Sequence, residues 1–173
     1  MSSTPKTFIL KSSDDEEFVV NEAIALQSET IRHMIEDDCA NKPIPLPNVS
    51  TDILLKVLEY CNHHIFESSD KPILAEEDKK GKANKLVDRE RELKLWDAEF
   101  VKVDQVTLFE LILAANYLDI KDLYELTCQT VADIVMGMPP EDIQNYFQVT
   151  NDFTDEEMAE INRNKEWNFD LIV

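Results

Sequence analysis

The side chains that could do chemistry in this 173-residue chain include three histidines, three cysteines and 36 acids. A metal site needs several ligands that converge on one point. His63 and His64 are adjacent, and adjacent side chains point to different sides of a helix, while His33 stands apart from both. We therefore expect surface or helix-capping histidines, and neither a metal ion nor another cofactor.

A cysteine nucleophile needs a nearby base or cation to form its thiolate. Cys61 lies two residues from His63, which on a helix separates their side chains by roughly 200° and excludes a catalytic pair. Cys39, Cys61 and Cys128 are odd in number and widely spaced, which favours free thiols over a disulfide. Cys61 and Cys128 fall within apolar helical patterns, so we predict that both are buried.

Acid–base and phosphate chemistry are poorly supported. Neighbouring carboxylates such as Asp37 and Asp38 arise readily among 36 acids, and solvated acidic faces explain them better than catalysis. The phosphate-binding loops of nucleotide sites need several glycines, and the chain has only Gly81 and Gly137. An enzyme is therefore the least favoured class, and we expect no small-molecule substrate.

Charge and hydropathy limit the partners further. A net charge of −19 repels nucleic acid phosphates, so we expect protein partners and no nucleic acid. No run approaches the roughly 18 apolar residues of a membrane span, and residues 1–11 lack the features of a secretory signal. We expect no membrane partner and a location in the nucleus and cytoplasm.

The elements that must position any site begin with a predicted β-hairpin. The apolar residues of 8–10 and 17–20 flank a polar turn, and short helices are predicted over 23–26 and after Ser28, which can cap the second one. Prolines alternate with apolar residues over 43–47, which indicates an edge strand or an extended loop. Ser50 and Asp52 then open an amphipathic helix with Ile53, Leu54, Val57, Leu58, Cys61 and Ile65 on one stripe.

The middle of the chain is strongly charged and weakly patterned. Eight acids and eight bases between residues 67 and 94 cancel, so we predict a mobile loop there, followed by a short helical piece over 96–103. Asp104 should cap a helix over 106–118 that is apolar on almost every face, which predicts a central position in the fold. A further helix is predicted over 120–135.

Two final helices are marked by their starts. Pro139 or Pro140 should begin one of them, because proline is favoured in the first helical turn. Thr154 and Glu157 have the spacing of a capping box, and Phe153 and Met158 occupy the positions of a hydrophobic staple, so the last helix should start at Thr154.

The run DQVTLFELILAANYLDIK over 104–121 resembles the Skp adaptor family of Skp, cullin and F-box (SCF) ubiquitin ligases. Matching segments occur in order at 11–14, 45–49, 126–128 and 151–154 and at Trp167. The resemblance implies an α/β fold of the BTB/POZ type over 1–66 and 95–136, interrupted by the charged mobile loop over 67–94. It also implies F-box-binding helices and a tail over 137–173.

The implied activity is that of a non-catalytic adaptor that links F-box substrate receptors to the N-terminal region of a cullin scaffold, in support of ubiquitination and proteasomal degradation. By motif position, the F-box side, in the region of about 112–170, includes Phe109, Ile112, Tyr124, Ile143, Phe147 and Trp167. The cullin side includes Pro45, Asn116 and Tyr117.

Alternatives remain open from the sequence. Phe109 and Ile112 could equally be core residues, whereas the apolar tail that carries Trp167 is better explained as a partner anchor. Tyr124 stands where the family commonly has leucine, and 137–142 also departs from the family pattern, which bears on receptor choice. The rival function is a self-assembling or transcriptional scaffold of the BTB type.

Overall fold

The computed structural model describes residues 6–37, 42–69, 79–149 and 153–164, in two compact units, Met1–Asp133 and Ile134–Val173. Strands β1 (Thr7–Lys11) and β2 (Glu17–Asn21) pair antiparallel, with Phe8 opposite Val20. Strand β3 (Ile44–Pro45) runs parallel to β1, and the strand order is β2-β1-β3. The predicted hairpin and the proline-rich edge strand are both confirmed.

The described helices follow the predicted order, with one exception. Their bounds are α1 Glu22–Ala25, α2 Glu29–Glu36, α3 Thr51–Ser69, α4 Lys79–Phe100, α5 Gln105–Leu118, α6 Lys121–Val135, α7 Pro140–Tyr146 and α8 Asp155–Asn164. Ser28 caps α2 by accepting a hydrogen bond from the Ile31 amide, and Asp104 caps α5 by accepting one from the Thr107 amide. Both predicted caps are confirmed, because each side chain satisfies an amide that lacks a partner within the helix.

The exception is α4, because our prediction of a loop over 67–94 is wrong for every described residue in that range. Helix α3 continues to Ser69, and α4 already begins at Lys79, well before the helical piece that we predicted over 96–103. Residues 70–78 lie outside the described part of the chain. The sequence of α4 is rich in Lys, Arg, Glu and Leu, which favour helices, but its apolar stripe of Leu93, Trp96 and Phe100 occupies only the last turns. Hydrophobic periodicity was therefore too weak to predict the earlier turns of α4.

The hairpin turn is joined to the start of α3. Asp15 adopts the left-handed conformation, with φ at 70°, which reverses the chain between β1 and β2. The Thr51 amide donates to Asp14 Oδ1 at 2.9 Å, and the Ser12 and Thr51 hydroxyls lie 3.0 Å apart. Hydrogen bonds from the Thr51 hydroxyl, and then from the Ser12 hydroxyl, hold the pKa of Asp14 below its ordinary value. The turn thereby supplies a helix cap from a distant part of the sequence.

The core of the first unit lies between the sheet, α3 and α5. Its fully buried side chains include Phe8, Leu10, Ile44, Leu46, Leu54, Leu111 and Leu118. Alanines 114 and 115 are also buried, and their small side chains allow α5 to lie close to its neighbours. The central position predicted for α5 is confirmed for this face alone, because its opposite face is open.

Two leucines of α5, two residues apart, provide a matched test of this core. Leu111→Ala should lower the free energy of unfolding by about 2–5 kcal/mol, because it leaves a cavity at a fully buried site. Leu113→Ala, at a side chain that is 67% exposed, should change it by less than about 0.5 kcal/mol. Urea denaturation followed by circular dichroism measures both values. Equal losses in the two variants would contradict this placement of α5.

Candidate functional site

The open face of α5 is apolar but lacks a cover within the described structure. Val106 is 66% exposed and Leu113 is 67% exposed, whereas Leu108, Leu111 and Leu118 on the opposite face are fully buried. Exposed apolar side chains that follow one helix face often mark a protein interface. Val106 and Leu113 were not among the residues predicted to contact a partner. The adjacent alanines 114 and 115 were the available signal, because they mark the close-packed side.

The predicted F-box and cullin residues of α5 share this open face. Phe109 and Ile112 are half-buried, Asn116 is exposed and Tyr117 is half-buried. Phe109 and Ile112 are therefore not pure core residues, although they are not fully accessible either. Phe109 and Asn116 are seven residues apart, or about 10 Å along the helix axis. One helix face can thus offer a different surface at each end.

The end of α5 that carries the predicted cullin residues is fixed by helix α2. The Thr30 hydroxyl donates to the Tyr117 carbonyl at 2.8 Å, and the Ser28 hydroxyl donates to the Leu118 carbonyl at 2.5 Å. Asp119 then takes the left-handed conformation, with φ at 49°, which ends the helix. The last carbonyls of a helix have no partner within it, so these two hydroxyls hold the turn that carries Asn116.

Pro45, the remaining predicted cullin residue, lies on the edge strand β3. Its side chain is exposed, whereas those of Ile44 and Leu46 on either side are buried. The Leu46 amide donates to the Lys11 carbonyl at 2.7 Å, which fixes the proline segment against β1. Pro45 is therefore held rigidly and faces outwards, as alternation along a strand requires.

The described part of the second unit, Ile134–Val173, has no buried hydrophobic side chain. Phe147, at the end of α7, is 41% exposed, and its ring meets that of Tyr146 edge-on at 5.2 Å. Ile143 is half-buried. Further exposed apolar residues of this unit were not among the predicted F-box contacts, and these are Ile134, Met136, Val149, Phe153 and Ile161. Trp167 lies outside the described residues, so its predicted role stays a prediction.

The local structure of this unit comes from its caps. The Thr154 amide donates to Glu157 Oε2 at 2.8 Å, and the Glu157 amide donates to Thr154 Oγ1 at 3.3 Å, which confirms the predicted capping box of α8. The bonds from the Thr154 amide and hydroxyl hold the pKa of Glu157 below its ordinary value. Pro140 begins α7, and Gly137, with φ at 88°, follows the end of α6. Two short amphipathic helices are thus specified locally.

Tyr124, the remaining predicted F-box residue, lies at the rim of a groove in the first unit. The groove has a volume of about 850 Å³ and runs along α6, with Tyr60 and His64 of α3 and Leu93 and Asp97 of α4 forming its opposite wall. Tyr124 itself is 40% exposed. Because its ring is partly exposed, Tyr124 can contact a bound partner without a change in the fold.

The histidines of α3 are structural, and our expectation of surface or capping side chains is wrong for both. The His63 ring stacks on Trp96 at 3.9 Å, and the His64 ring stacks on Tyr60 at 4.0 Å. His64 Nε2 also lies 2.9 Å from Asp97 Oδ1. Both side chains are half-buried and fasten α4 to α3, whereas His33 of α2 is exposed, as we expected.

The cysteines offer no activated nucleophile in the described structure. Cys61 is buried, and burial raises the pKa of its thiol to about 12, so it stays protonated at neutral pH. Cys128 is half-buried and not fully buried as we predicted, and both thiols are free. Cys39 lies outside the described residues. Across the described ranges, no group of three potential ligands could hold a metal ion, and no helix is long and apolar enough to cross a membrane.

Comparisons with known proteins agree with this architecture. The tetramerisation domain of the Skp1 family, a POZ domain, matches residues 6–65, and the dimerisation domain of the same family matches residues 121–168. The first match confirms the predicted α/β fold of the BTB/POZ type.

Curated relatives extend the match along nearly the whole chain. SKP1-like protein 1A of Arabidopsis thaliana is 52% identical over 165 residues, which cover 95% of this chain and 98% of the relative. SKP1-like protein 1 of Oryza sativa subsp. japonica is 56% identical over 166 residues, which cover 95% and 96%. With two family domains in order and relatives of this identity along nearly its whole length, the chain belongs to the Skp1 family.

Proposed function

We propose that this chain is a non-catalytic adaptor that links F-box substrate receptors to a cullin scaffold in an SCF-type ubiquitin ligase, in support of ubiquitination and proteasomal degradation. Membership of the Skp1 family supports an adaptor role in general. The finer proposal is carried by one observation, which is that the hydrophobic side chains in the described part of the second unit are exposed or half-buried and none is fully buried. Exposed apolar surface of this kind often marks a site that another protein covers.

The F-box side of the proposal rests on exposed apolar residues in both units. In the first unit, Phe109 and Ile112 lie on the open face of α5, and Tyr124 lies on α6. In the second unit, Phe147 is exposed at the end of α7, and Ile143 is half-buried. Aromatic and large aliphatic side chains are the usual anchors of interfaces. We assign these residues, with Trp167, to F-box recognition.

The cullin side rests on rigidity more than on apolar area. Asn116 is exposed on a helix turn that two hydroxyl bonds hold in place, and Pro45 is exposed on a short strand that is fixed to the sheet. A preorganised surface loses little conformational entropy when it binds. We assign Pro45, Asn116 and Tyr117 to the N-terminal region of a cullin.

The charge fits assembly between proteins. A formal charge of −19 disfavours direct contact with nucleic acid and steers basic partners to this chain. We place the adaptor in the nucleus and cytoplasm, where its proposed partners would meet it, with no membrane or small-molecule substrate in its cycle.

Reconstitution tests the proposal directly. The purified chain, mixed with an F-box fragment and a cullin N-terminal fragment, should elute from gel filtration as one ternary complex in equal amounts. The F-box and cullin fragments without the chain are the control and should elute separately. A stable homodimer that excludes the cullin fragment would contradict the proposal and favour the scaffold function.

Paired substitutions should separate the two surfaces. Phe147→Ala and Trp167→Ala should each weaken F-box binding by about tenfold or more, because they truncate aromatic anchors. Both should leave cullin binding unchanged. Asn116→Ala should weaken cullin binding and leave F-box binding unchanged, because its side chain lies at the surface that we assign to the cullin. Isothermal titration calorimetry of the three variants with each fragment gives six affinities, and unfolding of the whole chain by Trp167→Ala would show that the tail is core.

Thr30 should affect cullin binding through α5 alone. Thr30→Val removes the hydroxyl that donates to the Tyr117 carbonyl but keeps the shape of the side chain, so the turn that carries Asn116 should loosen. We expect cullin affinity to fall several-fold while F-box affinity stays constant. Thr30→Ser restores a hydroxyl and should restore cullin binding. Equal losses for both partners would instead indicate general destabilisation.

A further inference from the structure

The groove beside Tyr124 has walls of unlike chemistry. One wall is α6, which contributes Asp122, Glu125 and Leu126 along the groove, and the other is formed by α3 and α4. The lining combines aromatic and aliphatic surface with carboxylates, and it contains no lysine or arginine. The groove therefore has apolar surface to cover and carboxylates that no lysine or arginine of its lining neutralises.

The wall made by α3 and α4 is held in a fixed position. Trp96 of α4 stacks on His63 of α3 with the rings 8° from parallel, and it stacks on Phe100 at 5.0 Å between ring centroids. The 2.9 Å contact between His64 and Asp97 orients the Asp97 carboxylate beside the groove. A carboxylate whose position is already fixed costs little entropy when a ligand binds it.

The electrostatic field of the groove is negative. The carboxylates of Asp97, Asp122 and Glu125 all line it, and the contacts resolved within the described structure include no ion pair to Asp122 or Glu125. Burial, and then the charges of Asp97 and Asp122, raise the pKa of Tyr60 above its ordinary value. Carboxylates from both walls therefore act electrostatically on the same buried hydroxyl, that of Tyr60.

We propose that this groove binds an arginine side chain of the F-box receptor, presented by a segment that packs along α6. Arginine suits the groove better than lysine, because its planar guanidinium can stack on the Tyr124 ring while it donates to carboxylates in a fork. This inference rests on the proposed function, since Tyr124 on the rim belongs to the surface that we assign to the F-box. It adds a charge requirement to a surface otherwise defined by apolar anchors.

Other occupants fit the charge of the groove less well. The segment 70–78 of this chain carries Asp70, Glu76, Glu77 and Asp78 against Lys71 alone, so the carboxylates would repel it. A second copy of the chain brings another formal charge of −19, which opposes self-association. A basic segment of a different protein is the occupant that the charges favour.

Cys128 lines the groove and can report on its electrostatic potential. In a Cys39→Ser background, the buried Cys61 should stay unreactive, so Cys128 is the thiol that reagents reach. A cationic methanethiosulfonate, the trimethylammonium ethyl reagent, should modify Cys128 about tenfold or more faster than the anionic sulfonatoethyl reagent, because the field attracts cations. Stopped-flow kinetics or mass spectrometry measures both rates.

Two double variants show whether the groove carboxylates cause this preference. Asp122→Asn with Glu125→Gln should reduce the rate ratio several-fold. The matched control, Glu141→Gln with Asp142→Asn on α7, removes the same charge elsewhere and should leave the ratio close to that of the parent. Equal ratios in the two double variants would overturn the proposal.

A peptide pair then tests the occupant. The probe is an alanine-based helical peptide with one arginine flanked by leucines, and its partner has the neutral isostere citrulline in place of arginine. The arginine peptide should slow modification of Cys128 by N-ethylmaleimide several-fold, whereas the citrulline peptide should not. Equal protection by both peptides would contradict the assignment of arginine.

The outcome is separable from that of the proposed function. If the F-box fragment binds but the arginine peptide gives no protection, the arginine groove is overturned and the adaptor proposal stands. If the peptide protects Cys128 but no F-box complex forms, the adaptor proposal fails while the cation-binding groove is retained. The gel-filtration assay decides whether the adaptor proposal stands. The labelling rates decide whether the groove binds arginine.

Discussion

Burial of one face of α5 is the constraint on which the rest of the first unit depends. Leu111 and Leu118 fill the core between the sheet and α3, and the small Ala115 lets the helix approach closely. Because that face is committed to the core, Val106 and Leu113 on the opposite face cannot also be covered by it. An apolar surface is therefore exposed by the same packing that stabilises the domain, and a partner can use it without competing for the core.

The second unit is ordered in a different way from the first. Its helices have well-defined starts at Pro140 and Thr154, but its described hydrophobic side chains are exposed or half-buried, so local caps supply order and the apolar surface stays available to a partner. This division suits an adaptor whose receptors vary. A stable core keeps the turn that carries Asn116 in one geometry, while a weakly packed unit can adjust to different bound surfaces at small cost.

The stacked side chains that join α3 to α4 were not predicted from the sequence. The sequence predicts His63 and His64 as surface or helix-capping side chains, yet both are stacked, on Trp96 and Tyr60 respectively. The sequence separates His63 and Trp96 by a long charged stretch, so neither suggested the other. Their contact fixes Asp97 beside the groove, and the electrostatic character of that groove follows from it.

The sequence by itself determined the elements whose signals are local, because capping by Ser28, Asp104 and Thr154 and hydrophobic periodicity act within a few residues. It also carried the family resemblance that named the site residues. Only the tertiary structure decided which face of α5 is open, that the charged stretch from Lys79 is helical, and that α3, α4 and α6 enclose an acidic groove. Exposure and convergence of charge depend on contacts between distant residues, and a helix that is apolar on almost every side shows which side will be covered only through its adjacent small residues.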